Sequence, residues 1–248
     1  MPSLYQSFAV LYDQLFDEEQ YQNWFEYTKQ QVDLNQTHEW LELACGAGRL
    51  AVKLAKQRQK VTGFDLSSEM LALAEQHAYS AKVPLELVQG NMIDLAELPT
   101  YDVISCYADS FCYLANEIEL LTAFTQVHDH LKEGGQFIFD VITPYQTGEV
   151  YPGYMFNYQD DQQAFLWTSY AGEDEYHVEH DLTFFTKQDP TSEAFYRTEE
   201  THFERTYELD TYVGLLQKAG FSVVKYFADF GNAPVDEQTT RWFFSCRR

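Results

Sequence analysis

Glu42, Gly46, Gly48 and Asp65 are the residues whose types and spacing could do chemistry. Glu42 stands four positions before Gly46 in the run Trp40-Leu41-Glu42-Leu43-Ala44-Cys45-Gly46-Ala47-Gly48-Arg49-Leu50, which reads as a buried strand entering a glycine turn and then a helix. Glycine lacks a Cβ, so this turn can take positive φ and lay its backbone against a ligand. Asp65 closes the next expected strand, Val61-Thr62-Gly63-Phe64-Asp65. The stretch Gly46-Ala47-Gly48-Arg49-Leu50-Ala51 also fits the G-x-G-x-x-G/A dinucleotide fingerprint, and two glycines can make a tight turn with no ligand at all. A pyrophosphate seeks helix-terminal N–H groups away from carboxylates, whereas acids around the turn favour a cationic ligand. No Gly-Lys-Ser/Thr follows, so a P-loop is excluded.

The pattern Glu-Leu-Ala-Cys-Gly-Ala-Gly resembles the first motif of class I S-adenosylmethionine-dependent methyltransferases. The resemblance implies that the loop, with Glu42, Ala44, Gly46 and Gly48, cradles the methionine part of the cofactor and that Asp65 binds ribose hydroxyls. Leu66 and Met70, one and five positions after the ribose acid, would line the adenosine site. Ser67 can cap the following helix with Glu69 in its first turn, and Met70 with Leu73 and Ala74 also fits an ordinary core-facing stripe. In Leu85-Glu86-Leu87-Val88-Gln89-Gly90-Asn91-Met92 the resemblance implies a third strand ending in an adenine turn. Gly90 belongs to that turn, the Asn91 side chain would meet the adenine amino group and the Met92 N–H a ring nitrogen. Many relatives carry Asp at the position of Asn91, and an amide oxygen can accept the same hydrogen bond.

A fourth strand is expected at Tyr101–Tyr107. Strand carboxyl ends form the ligand crevice in doubly wound sheets, which places Cys106, Tyr107 and Asp109 where a transferable methyl would sit. Asp109 is the preferred catalytic candidate on that ground; it could equally cap the amides of Phe111 or Cys112. Leu131-Lys132-Glu133-Gly134-Gly135 is expected to close a helix with a glycine turn before a fifth strand, and the same signature recurs in the family. Leu209–Ala219 predicts a helix stopped by Gly220, followed by strands Phe221–Ala228 and Arg241–Cys246, which in the family form the reversed-edge hairpin of a seven-stranded sheet. Near the start, Phe8, Leu11, Tyr12, Leu15 and Phe16 recur at helical spacing. Tyr-x-x-Phe-Ala-x-x-Tyr-Asp-x-Leu resembles a segment that closes over the cofactor in small bacterial methyltransferases, which would set Tyr5 and Tyr12 near the methyl as further catalytic candidates.

Charge narrows the partners. With 39 Asp plus Glu against 16 Lys plus Arg the formal charge is -23, a field that repels polyanions, so nucleic acid is disfavoured as substrate. The basic cluster Lys53-Lys56-Arg58-Lys60 reads as the solvated face of the helix after the glycine loop. No leader or long apolar run is evident, and the 4 cysteines are scattered without a C-x-x-C pair, which predicts a soluble cytoplasmic protein with reduced thiols. In His177-Val178-Glu179-His180 the two histidines would point to opposite faces of a strand, and no three-ligand set has metal spacing, so no metal is expected.

Residues 149–205 carry 13 aromatic residues and 13 acidic against 3 basic ones, a composition that suits a cationic or amine-bearing acceptor. Alternation in Ala164–Tyr170 and His180–Phe185, with breaks at Ala171–Asp174 and Gln188–Thr191, predicts antiparallel strands. The layout resembles the insertion over the substrate in small-molecule N-methyltransferases, such as those acting on amino sugars. The expectation is therefore an α/β protein: a doubly wound, seven-stranded, mostly parallel sheet from residues 1–148 and 206–248, capped by an N-terminal helix, with residues 149–205 as a small antiparallel lid. Its expected activity is direct in-line methyl transfer from S-adenosylmethionine, leaving S-adenosylhomocysteine, to an amine or other N/O nucleophile of a small molecule. Three other classes stay open: a nicotinamide oxidoreductase, a non-catalytic S-adenosylmethionine-binding protein that docks a basic partner, and a nucleic-acid methyltransferase. The acceptor and the oligomeric state are left open.

Overall fold

A computed structural model of the protein describes residue 13 and residues 18–189 and 192–248. Helix α1 (Glu18–Gln31) begins with two acids and carries Lys29 in its last turn, the arrangement its dipole favours, and buries Trp24, Phe25, Tyr27 and Thr28. Strands β1 (Glu39–Leu43), β2 (Lys60–Asp65), β3 (Glu86–Gln89), β4 (Tyr101–Cys106) and β5 (Leu131–Ile142) alternate with helices α2 (Arg49–Lys56), α3 (Ser68–Ala81) and α4 (Glu117–His130). Strands β6 (Met155–Gln159), β7 (Gln163–Ala171), β8 (His177–Lys187) and β9 (Phe195–Arg205) follow. Helix α5 (Leu209–Ala219) and strands β10 (Val223–Phe227) and β11 (Arg241–Arg247) complete the chain.

The main sheet has seven strands in the order β10-β11-β5-β4-β1-β2-β3. Its five consecutive strands from β5 to β3 are parallel, and β11 runs antiparallel to both β5 and β10. Strand order reverses between β1 and β4, so the crevice beyond their carboxyl ends is the place where such sheets bind ligands. One face packs against α4 and α5 through Leu120, Phe124, Phe137, Phe139, Tyr212 and Leu216; the other packs against α1 and α2 through Trp24, Tyr27, Trp40, Leu50, Leu54 and Ile138. A hydrogen bond of 2.8 Å from the Trp40 indole to Ser105 Oγ ties β1 to β4 at the centre.

Two expectations change. The Gly134–Gly135 pair lies inside β5, not in a turn before it: pairing with β4 jumps from Tyr101↔Leu131 to Val103↔Gln136, and the pair fills that irregularity, with Gly134 at φ +74°. The second change is in residues 149–205, which form four strands in an antiparallel meander, β6-β7-β8-β9, where alternation had suggested two. Phe165, Leu182 and Phe184 form the meander's own small core with Trp167 packed against it. Its exit is fastened to the main sheet by Thr206, whose hydroxyl donates to the Ile142 carbonyl at 2.6 Å. No helix among the described residues is long and apolar enough to cross a membrane.

Candidate active site

The glycine loop is held by Asp65. Its carboxylate accepts from the Gly46 N–H at 2.7 Å and the Ser67 N–H at 2.9 Å, joining the end of β2 to the turn after β1. Burial raises its pKa above the ordinary carboxylate value, while these N–H donors oppose the rise. Ala44, Gly46 and Gly48 take φ of +50°, +53° and +70°. Gly48 is needed for packing, because a Cβ there would lie 2.7 Å from the Ala74 Cβ; a Cβ on Gly46 would meet none of the described residues within 4 Å. The loop therefore presents an open face at Gly46 and a closed one at Gly48.

Glu42 sits in β1, four residues before Gly46. It is buried, one carboxylate oxygen (Oε2) has no hydrogen-bond partner among the described residues, and burial pushes its pKa up to about 8 despite a hydrogen bond from the Ala51 backbone and with a further push from Asp65. An unpartnered carboxylate beside an uncovered backbone cradle fits the cationic methionine end of S-adenosylmethionine. Leu66, beside Asp65, is 67 % exposed although apolar, and Met70 is half-buried on α3, whose N-terminus Ser67 caps by accepting the Met70 N–H at 3.2 Å. Gly90 allows the Phe64 ring to pass, since a Cβ would approach it to 2.4 Å. Asn91 is exposed and its amide oxygen accepts from the Ile93 N–H at 3.2 Å; Met92 packs against the main core. The structure thus brings Glu42, Ala44, Gly46, Gly48, Asp65, Leu66, Gly90 and Asn91 to the carboxyl ends of β1, β2 and β3.

The side chains of Cys106 and Tyr107 do not open onto the crevice. Cys106 is buried in the core against α4 and α5, and Tyr107 in the core against α1, its hydroxyl 2.9 Å from Thr28 Oγ1 and its ring stacked on Trp24. Asp109 does not cap the next turn. It has φ +50°, its N–H donates to Asp140 Oδ1 at 2.9 Å, and its carboxylate accepts from Arg241 at 3.0 Å. Arg241 also lies 3.2 Å from Asp140, whose other donor is the Trp24 indole at 2.6 Å. Burial works against the Arg241 charge, but the two aspartates outweigh it and hold the guanidinium protonated; burial pushes Asp140 up while Arg241 pulls it down. Asp109 is therefore an ion-pair partner of Arg241.

Tyr5 and Tyr12 lie outside the described residues. Their neighbour Asp13 is described, and it reaches the loop's helix: its carboxylate takes Arg49 Nε at 2.5 Å and lies 3.2 Å from His77 Nε2, while His77 Nδ1 is 2.8 Å from the Ala47 carbonyl. Arg241, Trp24, Arg49 and His77 escaped the sequence reading because each acts through a residue far away in the chain. Ala44, Ala108, Asp109, Asp229 and Phe230 all take positive φ just beyond the carboxyl ends of β1, β4 and β10, so backbone strain collects around one end of the sheet. Among the described residues no group of three or more His, Cys, Asp or Glu could hold a metal ion.

Sheet order, crevice and glycine loop define the class I methyltransferase fold. The family described as "Methyltransferase domain" matches residues 41–135, from the middle of β1 into β5. A Geobacillus sp. (strain WCH70) protein with a provisional methyltransferase name is 35% identical over 247 residues, covering 98% of this chain and 99% of its own. The similarly provisional methyltransferase YqeM of Bacillus subtilis (strain 168) is 33% identical, with 99% and 97% covered. The crystal structure of an S-adenosylmethionine-dependent methyltransferase from Clostridium acetobutylicum ATCC 824 superposes with a TM-score of 0.84 at 30% identity, covering 98% of each chain. The chain belongs to the class I S-adenosylmethionine-dependent methyltransferases.

Proposed function

We propose that this methyltransferase acts on a small molecule bound between the Asp109–Arg241 pair and the β6–β9 sheet, which serves as its lid. The observation that carries the reading is the enclosure of polar groups there. Glu204 on β9 and His180 on β8 are buried on the sheet face turned towards Asp109, and β9 packs on the turn Ser110–Tyr113 that follows β4. Groups placed under a sheet suit an acceptor that can be covered, and the charge of -23 disfavours a polyanion.

S-adenosylmethionine supplies a methyl group made electrophilic by its sulfonium sulfur. In the proposed site Glu42 faces the ammonium, the loop amides hold the methionine carboxylate, Asp65 takes the ribose hydroxyls, Leu66 and Met70 flank the adenosine, and Asn91 with the Met92 N–H reads adenine. Arg241 holds the Asp109 carboxylate in place, and the lid excludes water from the reacting atoms. Either an amine nitrogen or a hydroxyl oxygen of the acceptor can be the nucleophile. The test is release of S-adenosylhomocysteine from purified protein given S-adenosylmethionine with panels of small amines and alcohols, beside total tRNA. Turnover on the small molecules is expected; turnover on RNA alone would overturn the reading.

A further inference from the structure

Beneath the lid, Glu204 and His180 each leave a polar atom without a partner. Among the described residues Glu204 Oε2 and His180 Nε2 find no hydrogen-bond partner, although the two side chains are only 7 % and 4 % exposed. The pairing Val178↔Glu204 and His180↔His202 makes them diagonal neighbours across β8 and β9, and His180 Nε2 lies 3.8 Å from Glu204 Oε1, beyond hydrogen-bond reach. Glu204 takes a side-chain hydrogen bond from Tyr113, so it is its Oε2 atom and His180 Nε2 that remain unsatisfied, and two buried polar atoms left so call for a third.

The imidazole tautomer says which kind. The Trp167 indole, which can only donate, points its N–H at His180 Nδ1 at 3.2 Å, and Ser169 Oγ lies 2.7 Å from the same nitrogen. Nδ1 therefore accepts, and the ring proton sits on Nε2, the nitrogen 3.8 Å from Glu204 Oε1. Tyr151 closes one side, with its ring edge-on to the imidazole at 4.7 Å between centroids.

We propose that Glu204 and His180 form a subsite that receives a hydroxyl oxygen of the methyl acceptor. The proposal rests on the small-molecule reading and narrows its acceptor to a hydroxyl-bearing compound. A hydroxyl oxygen has lone pairs to take the His180 N–H and a proton to give to the Glu204 carboxylate; if Glu204 is itself protonated, the same oxygen accepts from it. An ammonium nitrogen could donate to an ionised Glu204 but has no lone pair for the His180 N–H, and a neutral amine, which could bridge both groups, is the minor form of an alkylamine at neutral pH. Burial, reinforced by the Asp109 charge, raises the Glu204 pKa to about 8, and burial lowers that of His180 to about 4, so the imidazole is neutral at neutral pH and the carboxyl gives no fixed anion. Asp109 is already engaged with Arg241. The buried groups under the lid thus favour an oxygen over the cation that the acidic composition of residues 149–205 suggested.

The probe pair is benzyl alcohol and benzylammonium, added to the 15N-labelled full chain saturated with S-adenosylhomocysteine, while long-range 1H–15N spectra follow the His180 ring. The expected result is an Nε2–H tautomer whose signals move saturably with the alcohol and not with the ammonium. Glu204→Leu should weaken the alcohol about tenfold or more, and Glu204→Gln, which keeps an acceptor, should restore most of that loss. A proton on Nδ1, an equal response to benzylammonium, unchanged affinity in Glu204→Leu, or no saturable response, as for a site that holds only water, would each overturn the proposal. Calorimetry with S-adenosylhomocysteine on the same samples reports the cofactor site. Turnover confined to RNA, with the alcohol response intact, would refute the small-molecule reading while leaving the subsite standing.

Discussion

Glu42→Gln tests the electrostatic logic of the cofactor site. Burial lifts the Glu42 pKa from its ordinary 4.5 to about 8, so in the unliganded protein at pH 7 only about one molecule in ten carries the charge. If the ionised carboxylate is what receives the cationic end of S-adenosylmethionine, binding must first expel a proton. Affinity should then rise close to tenfold per pH unit from about pH 6 towards pH 8, and each binding event near pH 7 should release roughly one proton. The same group acts on stability with a fixed sign. The folded protein holds a proton that the unfolded chain has lost between pH 4.5 and about 8, so stability is greatest below 4.5 and declines as pH rises through that window. The span of about 3.5 units corresponds to something on the order of 5 kcal/mol, several degrees or more of melting temperature.

Glu42→Gln removes both dependences. The variant should melt with wild type at about pH 5, exceed it increasingly towards about pH 9, and bind S-adenosylmethionine weakly with no proton release. Calorimetry in buffers of different ionisation enthalpy counts the proton, and thermal melts across pH read the stability. Equal pH slopes in wild type and variant, together with no proton release by wild type, would refute the assignment of Glu42 as a buried acid waiting for a cation.

The glycines separate binding from folding. Gly46→Val should keep the fold at a cost of roughly 1–2 kcal/mol of backbone strain yet abolish S-adenosylmethionine binding, whereas Gly48→Val, driven into Ala74, should lower the melting temperature sharply; calorimetry and melts on both variants check this. Asp65→Ala should lose cofactor binding, and some stability with it because the Gly46 and Ser67 amides lose their acceptor; binding retained at wild-type strength would sink the ribose assignment. Arg241→Met leaves Asp109 and Asp140 facing each other without a cation, so a loss of about 3–5 kcal/mol is expected in chemical denaturation, with partial recovery in Arg241→Met/Asp140→Asn.

The cofactor half of the molecule was legible because its signals are local. A strand, a glycine turn, a capped helix and an acid at the next strand end fall within Trp40–Met70, and each is decided by neighbours a few residues away. Helix α5 keeps the bounds read from its periodicity and from Gly220, which ends it at φ +109°. The Gly134–Gly135 pair misled for the converse reason: glycine signals a break in regular backbone but not whether the break is a turn or a slip in strand pairing, and that depended on β4. The ion pair of Asp109 gave no sequence signal for the same reason, because its partner Arg241 is 132 residues away.

The antiparallel character of residues 149–205 was legible from β7 and β8, whereas β6 and β9 were not, because β9 inverts the pattern used to read strands and β6 lacks one. In β9 the residues turned inward include Glu200, His202 and Glu204, while Phe203 is 63 % exposed, so hydrophobic alternation gives no strand and hides the one acid that matters. In β6 all five residues are exposed and no buried face exists to set a period. A polar interior is costly unless something fills it, and here Glu204 and His180 both keep an atom unsatisfied. The sequence cue fails in β9 because its inner face carries Glu200, His202 and Glu204 in place of the apolar residues that alternation needs, the same polar face on which the proposed acceptor subsite rests.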